Sequence, residues 1–404
     1  MSSKLTSLLL VSIFKNVLND EVISSFVSFL NQLSSDEKNF SSDLKLYSEF
    51  ISSLYQKSEN QNLYDYLKKL IYTDENIISK GCSSCVNENN QLLNTAKYEL
   101  TLFDNLVSFD YQTIKDLFLF KYPRMTEMVI HLPVFNSDNA ERFNIDNLIN
   151  SYKNNGYGVF SCYSAFKYTE DFDIKPVQYF DSITFDELKN YEYQQNVLKQ
   201  NTKAFLDGKP ANNILLYGDR GCGKSSSVKA LLNEFSDYNL KVIQVYKEAF
   251  LKLPELYEKL RNLPLKFIIF ADDISFDEDD RNFSSIKAIL EGSLSDKPSN
   301  VIIYATTNRF HLVKESFSAR EGNEVHYNDT IDETVSLSDR FGIVLTFSSL
   351  TKFEYLDIVK QIASDCCIDI NDNFLQQACA FSMQKGIMTP RIARQFIVDF
   401  VANN

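Results

Sequence analysis

The stretch GDRGCGKSS occupies residues 218–226, between the apolar segment NILLY at 213–217 and the segment VKALLNEF at 228–235. The first segment is typical of a buried strand, and the second has the apolar spacing of a helix. A pattern G-x-x-x-x-G-K-[ST] between a strand and a helix is the Walker A loop, in which backbone N–H groups and the helix N-terminus face phosphate oxygens. The sequence therefore predicts that this turn binds the phosphates of a nucleotide. The alternative is a glycine-rich turn with an incidental lysine.

Within this loop the residue types indicate separate roles. We expect Lys224 to reach the terminal phosphates and the Ser225 hydroxyl to ligate Mg²⁺. Cys222 precedes the helix and is close to Lys224 in sequence, which predicts a thiol of lowered pKa that reacts readily with alkylating agents. The alternative for Cys222 is that its sulfur packs between sheet and helix. The predicted nucleotide-binding residues are Gly218, Asp219, Arg220, Gly221, Cys222, Gly223, Lys224, Ser225 and Ser226.

A second apolar run, FIIFADD at 267–273, ends in two carboxylates. At the end of a buried strand beside the phosphate loop, Asp272 would hold Mg²⁺ directly or through water. Asp273 would then orient or deprotonate the attacking water. The alternative is that both belong to a solvated acidic loop that continues to residue 280.

Three further side chains fit phosphoryl-transfer chemistry. Asn308 ends the strand-like segment YATTN and would lie between the phosphate loop and Asp272, where an amide positions a water molecule. Arg340 in SLSDRFG and Arg391 in TPRIARQF are candidates for neutralising charge on the transferred phosphoryl group. The alternatives are a surface ion pair for Arg340 and a helix N-terminal arginine for Arg391.

Length and charge limit the class of protein. The chain has 404 residues and a formal net charge of −13, and its isoelectric point is about 4.9. An acidic chain is a poor candidate for a protein whose main role is sequence-independent nucleic-acid binding. Seven scattered cysteines indicate reduced thiols and a cytoplasmic location. The spacing of Cys82 and Cys85 also allows a metal or redox site, although no second CxxC pair exists.

The chain divides into four segments by pattern. Residues 1–105 have helical periodicity, 106–180 are mixed and include expected strands at 128–135 and 157–168, 181–350 alternate strands and helices, and 351–404 contain three helices. The apolar runs of the third segment are nearly continuous, which is typical of parallel strands buried on both faces. These runs predict five strands in a doubly wound α/β core, followed by a small helical lid. No apolar run approaches the ~20 residues that span a membrane.

GDRGCGKSS, FIIFADD, YATTN, SLSDRFG and TPRIARQF occur in the order of the motifs of AAA+ ATPases, which the chain resembles from about residue 156 to its end. The sequence around these motifs also resembles one bacterial AAA+ family described as a domain of unknown function. The resemblance implies ATP between core and lid, Asn308 as first sensor, Arg340 as arginine finger and Arg391 as second sensor. It also places Tyr191 and Glu192 near the adenine and implies an oligomer. AAA+ enzymes usually have Glu where this chain has Asp273, so the water would have to lie closer.

The interpretation that follows is a Mg²⁺-dependent ATPase that couples hydrolysis to a conformational change of a protein partner, with the N-terminal region selecting the partner. One alternative is a nucleotide-dependent switch with negligible turnover. A second alternative, a DNA loader or remodeller, depends on fold analogy alone, and the acidic charge opposes it.

Overall fold

The computed structural model of the protein describes residues 2–83, 90–137, 141–169, 171, 173–274, 276–277, 297–308, 313–314 and 341–403. The chain forms two compact units, Met1–Cys162 with Asn262–Pro264 and Tyr163–Arg261 with Leu265–Asn404. The predicted segment 106–180 is therefore shared between the two units. The division of the chain into the four predicted segments stays a prediction.

The first unit is helical, as the periodicity of residues 1–105 predicts, and packs around buried aromatic rings. Phe26 lies at the centre of this core, with ring centroids 4.5 Å from Phe50 and 6.1 Å from Phe135. The helices are α1 Ser2–Thr6, α2 Lys15–Leu18, α3 Glu21–Leu33, α4 Phe40–Lys57, α5 Leu63–Thr73, α6 Ile77–Ser83, α7 Asn90–Val107, α8 Tyr111–Lys121, α9 Thr126–Ile130, α10 Ile145–Asn155 and α11 Val159–Cys162.

The expected strand at 128–135 is wrong. Thr126–Ile130 is a short helix, with Val129 buried and its neighbours Met128 and Ile130 largely exposed. Three side chains of this apolar run, Val129, Leu132 and Phe135, enter the core. They are spaced three residues apart, and not two as in a strand.

The second unit contains a sheet of seven strands rather than the five predicted. All five predicted strands of the core are present. Of the two additional strands of the sheet, β1 is the end of the strand expected at 157–168, and β2 was not predicted. Neighbouring strands are parallel except for the outermost pair, β1 and β2. The sheet order is β2-β1-β4-β5-β7-β3-β9. Its strands are β1 Ala165–Tyr168, β2 Ile174–Pro176, β3 Ile214–Gly218, β4 Leu240–Val245, β5 Lys266–Ala271, β7 Val301–Thr307 and β9 Ile343–Phe347. Two short strands, β6 Phe276–Asp277 and β8 Val313–Lys314, pair separately in parallel.

The strand order determines where the site forms. Strand β7 lies between β3, which leads into the glycine-rich loop, and β5, which leads into the paired carboxylates. Every residue of β7 is buried, as expected for a parallel strand covered on both faces. Because carboxyl ends of parallel strands share one edge of the sheet, residues that follow β3, β5 and β7 meet there.

Helices cover the sheet and form the C-terminal lid. Helices α12 Glu192–Leu206, α13 Lys224–Glu234 and α14 Leu253–Arg261 alternate with the strands, and α15 Lys352–Asp365, α16 Asp372–Lys385 and α17 Pro390–Asn403 follow β9. Helix α15 begins with a capping box, in which the Thr351 hydroxyl accepts from the Glu354 amide and the Glu354 carboxylate accepts from the Thr351 amide. A mostly parallel sheet with a helical lid after its last strand is the arrangement that the resemblance to AAA+ ATPases implied. Within the described residues no helix has both the length and the apolar character needed to cross a membrane.

A buried carboxylate organises the start of the first unit. Glu99 on α7 is fully buried and accepts hydrogen bonds from the Ser12 amide and hydroxyl, both at 2.8 Å, and from the amides of Ile13 and Phe14 at 3.1 Å. These amides lie between the 3₁₀ helix Ser7–Leu10 and α2. Glu99 therefore satisfies them in place of backbone carbonyls.

We expect Glu99→Ala to lower the free energy of unfolding by about 3 kcal/mol, because it leaves several buried N–H groups without acceptors. Urea denaturation of the full-length protein, with hydrogen exchange at residues 12–14, measures the effect. Glu49→Ala is the matched control, since Glu49 is exposed and pairs only with Lys45 at 3.8 Å. Equal loss of stability in both variants would contradict this role of Glu99.

Candidate nucleotide site

The glycine-rich loop depends on backbone conformations and close contacts that side chains would prevent. Gly218, at the end of β3, has φ 145°, and a Cβ there would lie 1.9 Å from the carbonyl oxygen of Phe347. Gly221 has φ 84°, and a Cβ there would lie 3.1 Å from both the Arg391 side chain and the Thr389 hydroxyl. The first glycine therefore lets the loop contact β9, and the second lets it contact the lid.

Lys224 is the first residue of α13, and its side chain is buried. Its ammonium donates to the Gly218 carbonyl at 2.6 Å, to the Asp219 carbonyl at 2.8 Å and to Asn308 Oδ1 at 2.9 Å. Burial lowers the pKa of Lys224, although nearby carboxylates oppose the shift. A buried cation that is held only by neutral oxygens is suited to an anionic ligand such as a phosphate.

The metal residues predicted from the sequence are in contact with each other. The Ser225 hydroxyl donates to Asp272 Oδ1 at 2.5 Å, and the Thr306 hydroxyl donates to the same oxygen at 2.7 Å. A hydroxyl and a carboxylate are the oxygen ligands that Mg²⁺ takes in nucleotide sites. Within the described residues no group of three or more His, Cys, Asp or Glu could hold a metal ion. The pair therefore fits an ion that receives its other ligands from water and phosphate.

The second carboxylate, Asp273, is hydrogen-bonded to the first sensor position. Asn308 Nδ2 donates to Asp273 Oδ1 at 2.5 Å, while its Oδ1 accepts from Lys224. The Asp273 amide donates to the Thr306 hydroxyl at 2.8 Å. Asn308 therefore lies between the phosphate loop and the acidic strand end, where the sequence placed it, and it joins the lysine to Asp273.

These residues surround one cavity of about 490 Å³, a volume in the range of small-molecule sites. Residues 187–191 contribute to one part of the wall, the phosphate loop and strand ends to another, and Ile358, Ile362 and Arg391 of the lid to a third. Five cationic residues line the cavity, Lys189, Arg220, Lys224, Arg391 and Arg394, together with four acidic residues, Asp181, Glu187, Asp272 and Asp273. The cationic residues of the glycine-rich loop and of α17 form the part of the wall that suits an anionic ligand.

Direct hydrogen bonds and ion pairs connect the lid to the rest of the site. The Arg391 amide donates to the Gly221 carbonyl at 3.3 Å. Ion pairs join Arg394 to Glu187 at 3.8 Å and Lys189 to Asp365 at 3.2 Å. The predicted second sensor thus lies beside the phosphate loop, at the first turn of α17.

Tyr191 lines the cavity, as the resemblance implied, but its hydroxyl is already hydrogen-bonded to the backbone. The Tyr191 hydroxyl donates to the Ser348 carbonyl at 2.5 Å, and its ring lies 5.0 Å from that of Phe347. Burial raises the pKa of this phenol. Glu192 is exposed and does not line the cavity.

The prediction of a lowered pKa for Cys222 is wrong. Its sulfur is buried and lies 3.7 Å from the Ser348 carbonyl oxygen, and burial raises the pKa of the thiol more than Lys224 lowers it. The thiol therefore packs inside the core behind the loop. Its backbone remains part of the cavity wall.

Some predicted residues lie outside the described part of the chain, and some site residues were not predicted. Arg340 and Cys85 are outside it. Thr306, Arg394 and Glu187 were missed. Thr306 lies on β7 and Asn308 is the first residue after that strand, so continued alternation places both side chains on one face, and this signal was available.

We expect iodoacetamide to label Cys222 about tenfold or more slowly than the exposed Cys162, Cys366 and Cys367. The reason is that a raised pKa leaves less of the reactive thiolate at any pH below it, and burial blocks access. Peptide mapping over time measures the rates, and a Cys222→Ser variant identifies the peptide. Labelling of Cys222 at the rate of the exposed cysteines would contradict the buried position of its sulfur.

Solved structures that match part of the chain include the RuvB Holliday junction branch migration motor of Thermotoga maritima, with 22% identity and a TM-score of 0.34. Others are the FIGL-1 AAA domain in complex with ADP, with 18% identity and a TM-score of 0.35, and PCH-2 of C. elegans, with 17% and 0.31. The matches cover 52%, 50% and 47% of this chain and 61%, 68% and 53% of those chains. This chain therefore spans about three fifths of the RuvB chain.

No curated protein matches the sequence significantly. A family model matches residues 161–404, which include all seven strands of the sheet, the whole cavity and the lid. This match extends over more than half of the chain, so the protein belongs to the family described as "Protein of unknown function (DUF815)".

Proposed function

We propose that this AAA+ protein is a Mg²⁺-dependent ATPase that couples hydrolysis to a conformational change of a protein partner. The observation that supports this most is the continuous hydrogen-bonded path from Lys224 through Asn308 to Asp273. In this path the residue that would contact the terminal phosphate is joined to the residue that would contact the attacking water. A site that only bound nucleotide would need the lysine alone.

Each residue has a distinct task in this proposal. The loop amides and Lys224 hold the phosphates, and Ser225 with Asp272 would hold Mg²⁺, which neutralises charge on the phosphate oxygens when bound. Asp273 accepts a proton from the attacking water or orients that water. Asn308 aligns Asp273 with the phosphate, and Arg391 adds positive charge from the lid.

The contacts between loop and lid support the coupling to conformational change. The Gly221 carbonyl bonds to the first turn of α17, and the Asp219 carboxylate accepts from the Ser349 amide at 3.2 Å, in the segment that leads from β9 into the lid. A change of phosphate charge in the loop therefore acts directly on residues that orient the lid. Partner selection by the N-terminal helical unit, oligomer formation and a cytoplasmic location are parts of the same proposal.

A switch with negligible turnover is the second candidate, and the shorter side chain of Asp273 is the observation that favours it. Both candidates require tight nucleotide binding, and only the ATPase requires multiple turnovers. A DNA loader would in addition bind DNA with an affinity that falls steeply with salt.

We expect Lys224→Ala to abolish nucleotide binding, whereas Asp273→Asn should keep binding and lose about 10²-fold or more in turnover. The two variants differ because phosphate binding and water activation belong to different side chains. Fluorescent-nucleotide titration and phosphate release measure them, with Lys229→Ala, on the same helix but outside the cavity wall, as the control for Lys224. Wild-type turnover in Asp273→Asn would show that another group activates the water.

Arg340 should act on the nucleotide of a neighbouring subunit, as an arginine finger worth ~10³ to 10⁵ in rate. Inactive Arg340→Ala mixed with inactive Asp273→Asn should then recover activity, because a mixed interface pairs an intact pocket with an intact finger. Phosphate release by the mixture, with co-assembly verified by differently tagged subunits, measures the recovery. No recovery in co-assembled subunits would argue against a finger in trans.

A further inference from the structure

The backbone of Asp273 has a conformation that most residues avoid. Its φ of 51° lies in the left-handed region, directly after β5 has ended at Ala271. Asp and Asn tolerate this region better than longer or β-branched residues, since their short polar side chains bond locally. The type of residue at this position is therefore restricted by the backbone as well as by chemistry.

Thr306 on β7 holds this turn from the neighbouring strand. Its hydroxyl accepts from the Asp273 amide at 2.8 Å and donates its single proton to Asp272 Oδ1 at 2.7 Å, while its carbonyl accepts from the Ile274 amide at 2.8 Å. The side chain is almost fully buried, with 1% exposure. One hydroxyl thus fixes the backbone of one acid and the carboxylate of the other.

The side chain of Asp273 is fixed from the same strand. Asn308, two residues after Thr306, donates to Asp273 Oδ1 at 2.5 Å. One additional methylene would extend the side chain by about 1.5 Å, the length of a carbon–carbon bond. Such an extension would carry the carboxylate past the amide that holds it.

We propose that Thr306 is a positioning residue that locks the left-handed turn at Asp273, and that this turn makes aspartate rather than glutamate the competent residue there. The inference rests on the proposed function, in which Asp273 acts on the attacking water. The turn and the Asn308 contact together compensate for the side chain of Asp273, which is one methylene shorter than that of glutamate. Restoring the longer acid at position 273 therefore lowers activity.

The test compares Thr306→Val, which is isosteric and lacks the hydroxyl, with Thr306→Ser, which keeps it. Thr306→Val should lower kcat for MgATP by about 10²-fold, the effect of a misplacement near 1 Å. Its KM and its affinity for nucleotide in the absence of Mg²⁺ should stay within about threefold of wild type, because Lys224 and the loop are untouched. The Mg²⁺ concentration for half-maximal activity should rise, since Asp272 loses a hydrogen bond. Thr306→Ser should keep kcat within about fivefold.

Asp273→Glu is the second arm, and its kcat should fall by about tenfold or more. A kcat of Asp273→Glu at or above that of wild type would overturn the explanation of why aspartate is the competent residue at position 273. Wild-type kcat in Thr306→Val, or equal damage in Thr306→Ser and Thr306→Val, would overturn the role of the hydroxyl.

A third arm separates this inference from the proposed function. Hydrogen exchange of the Asp273 amide reports its bond to Thr306 without any turnover. Exchange should accelerate in Thr306→Val and stay near wild type in Thr306→Ser. Failure of the proposed function shows as absent wild-type turnover or an active Asp273→Asn. Unchanged exchange in Thr306→Val overturns the inference whether or not the protein hydrolyses ATP.

Discussion

The close approach of two backbones, at Gly218 and Phe347, is the constraint on which the site depends. No side chain fits between them, and the next amide, Asp219, donates to the Phe347 carbonyl at 3.1 Å. This contact aligns the end of β3 with the end of β9. The segment that continues to the lid then passes directly behind the phosphate loop, where Ser348 and Ser349 bond to it. Loop, sheet edge and lid are consequently parts of one hydrogen-bonded assembly.

The cationic residues of the cavity contrast with the net negative charge of the whole chain. The protein carries a formal net charge of −13, yet cationic side chains gather around the loop. The carboxylates of Asp272 and Asp273 are held by hydroxyl and amide groups rather than by these cations. Lys224 is held by neutral oxygens and stays available to an anion, and the two acids stay available to a metal ion and to water. The hydroxyl and amide donors thus hold the two carboxylates apart from the cations of the same cavity.

Much of the second unit could be predicted because its signals are local. Continuous apolar runs fixed the five strands, and the glycine-rich motif with its flanking elements located the site. Strand β1 forms only the end of the strand predicted at 157–168, because a helical turn at Val159–Cys162 interrupts that stretch, and β2 at 174–176 was missed. The buried state of Cys222 depends on Ser348, 126 residues away, so no sequence neighbour could indicate it. Thr306 was different, because alternation along its strand already placed it beside Asn308.

The buried ammonium of Lys224 makes the binding of an anion at this site depend on pH. Burial holds its pKa below that of an exposed lysine, so at alkaline pH this group loses its charge earlier than other lysines do. A phosphate bound at the ammonium favours the charged form and raises the pKa again. Over that alkaline interval an anion is bound together with a proton taken from solution, and its affinity decreases as the pH rises. The lysine thereby couples occupancy of the loop to the proton concentration of its surroundings.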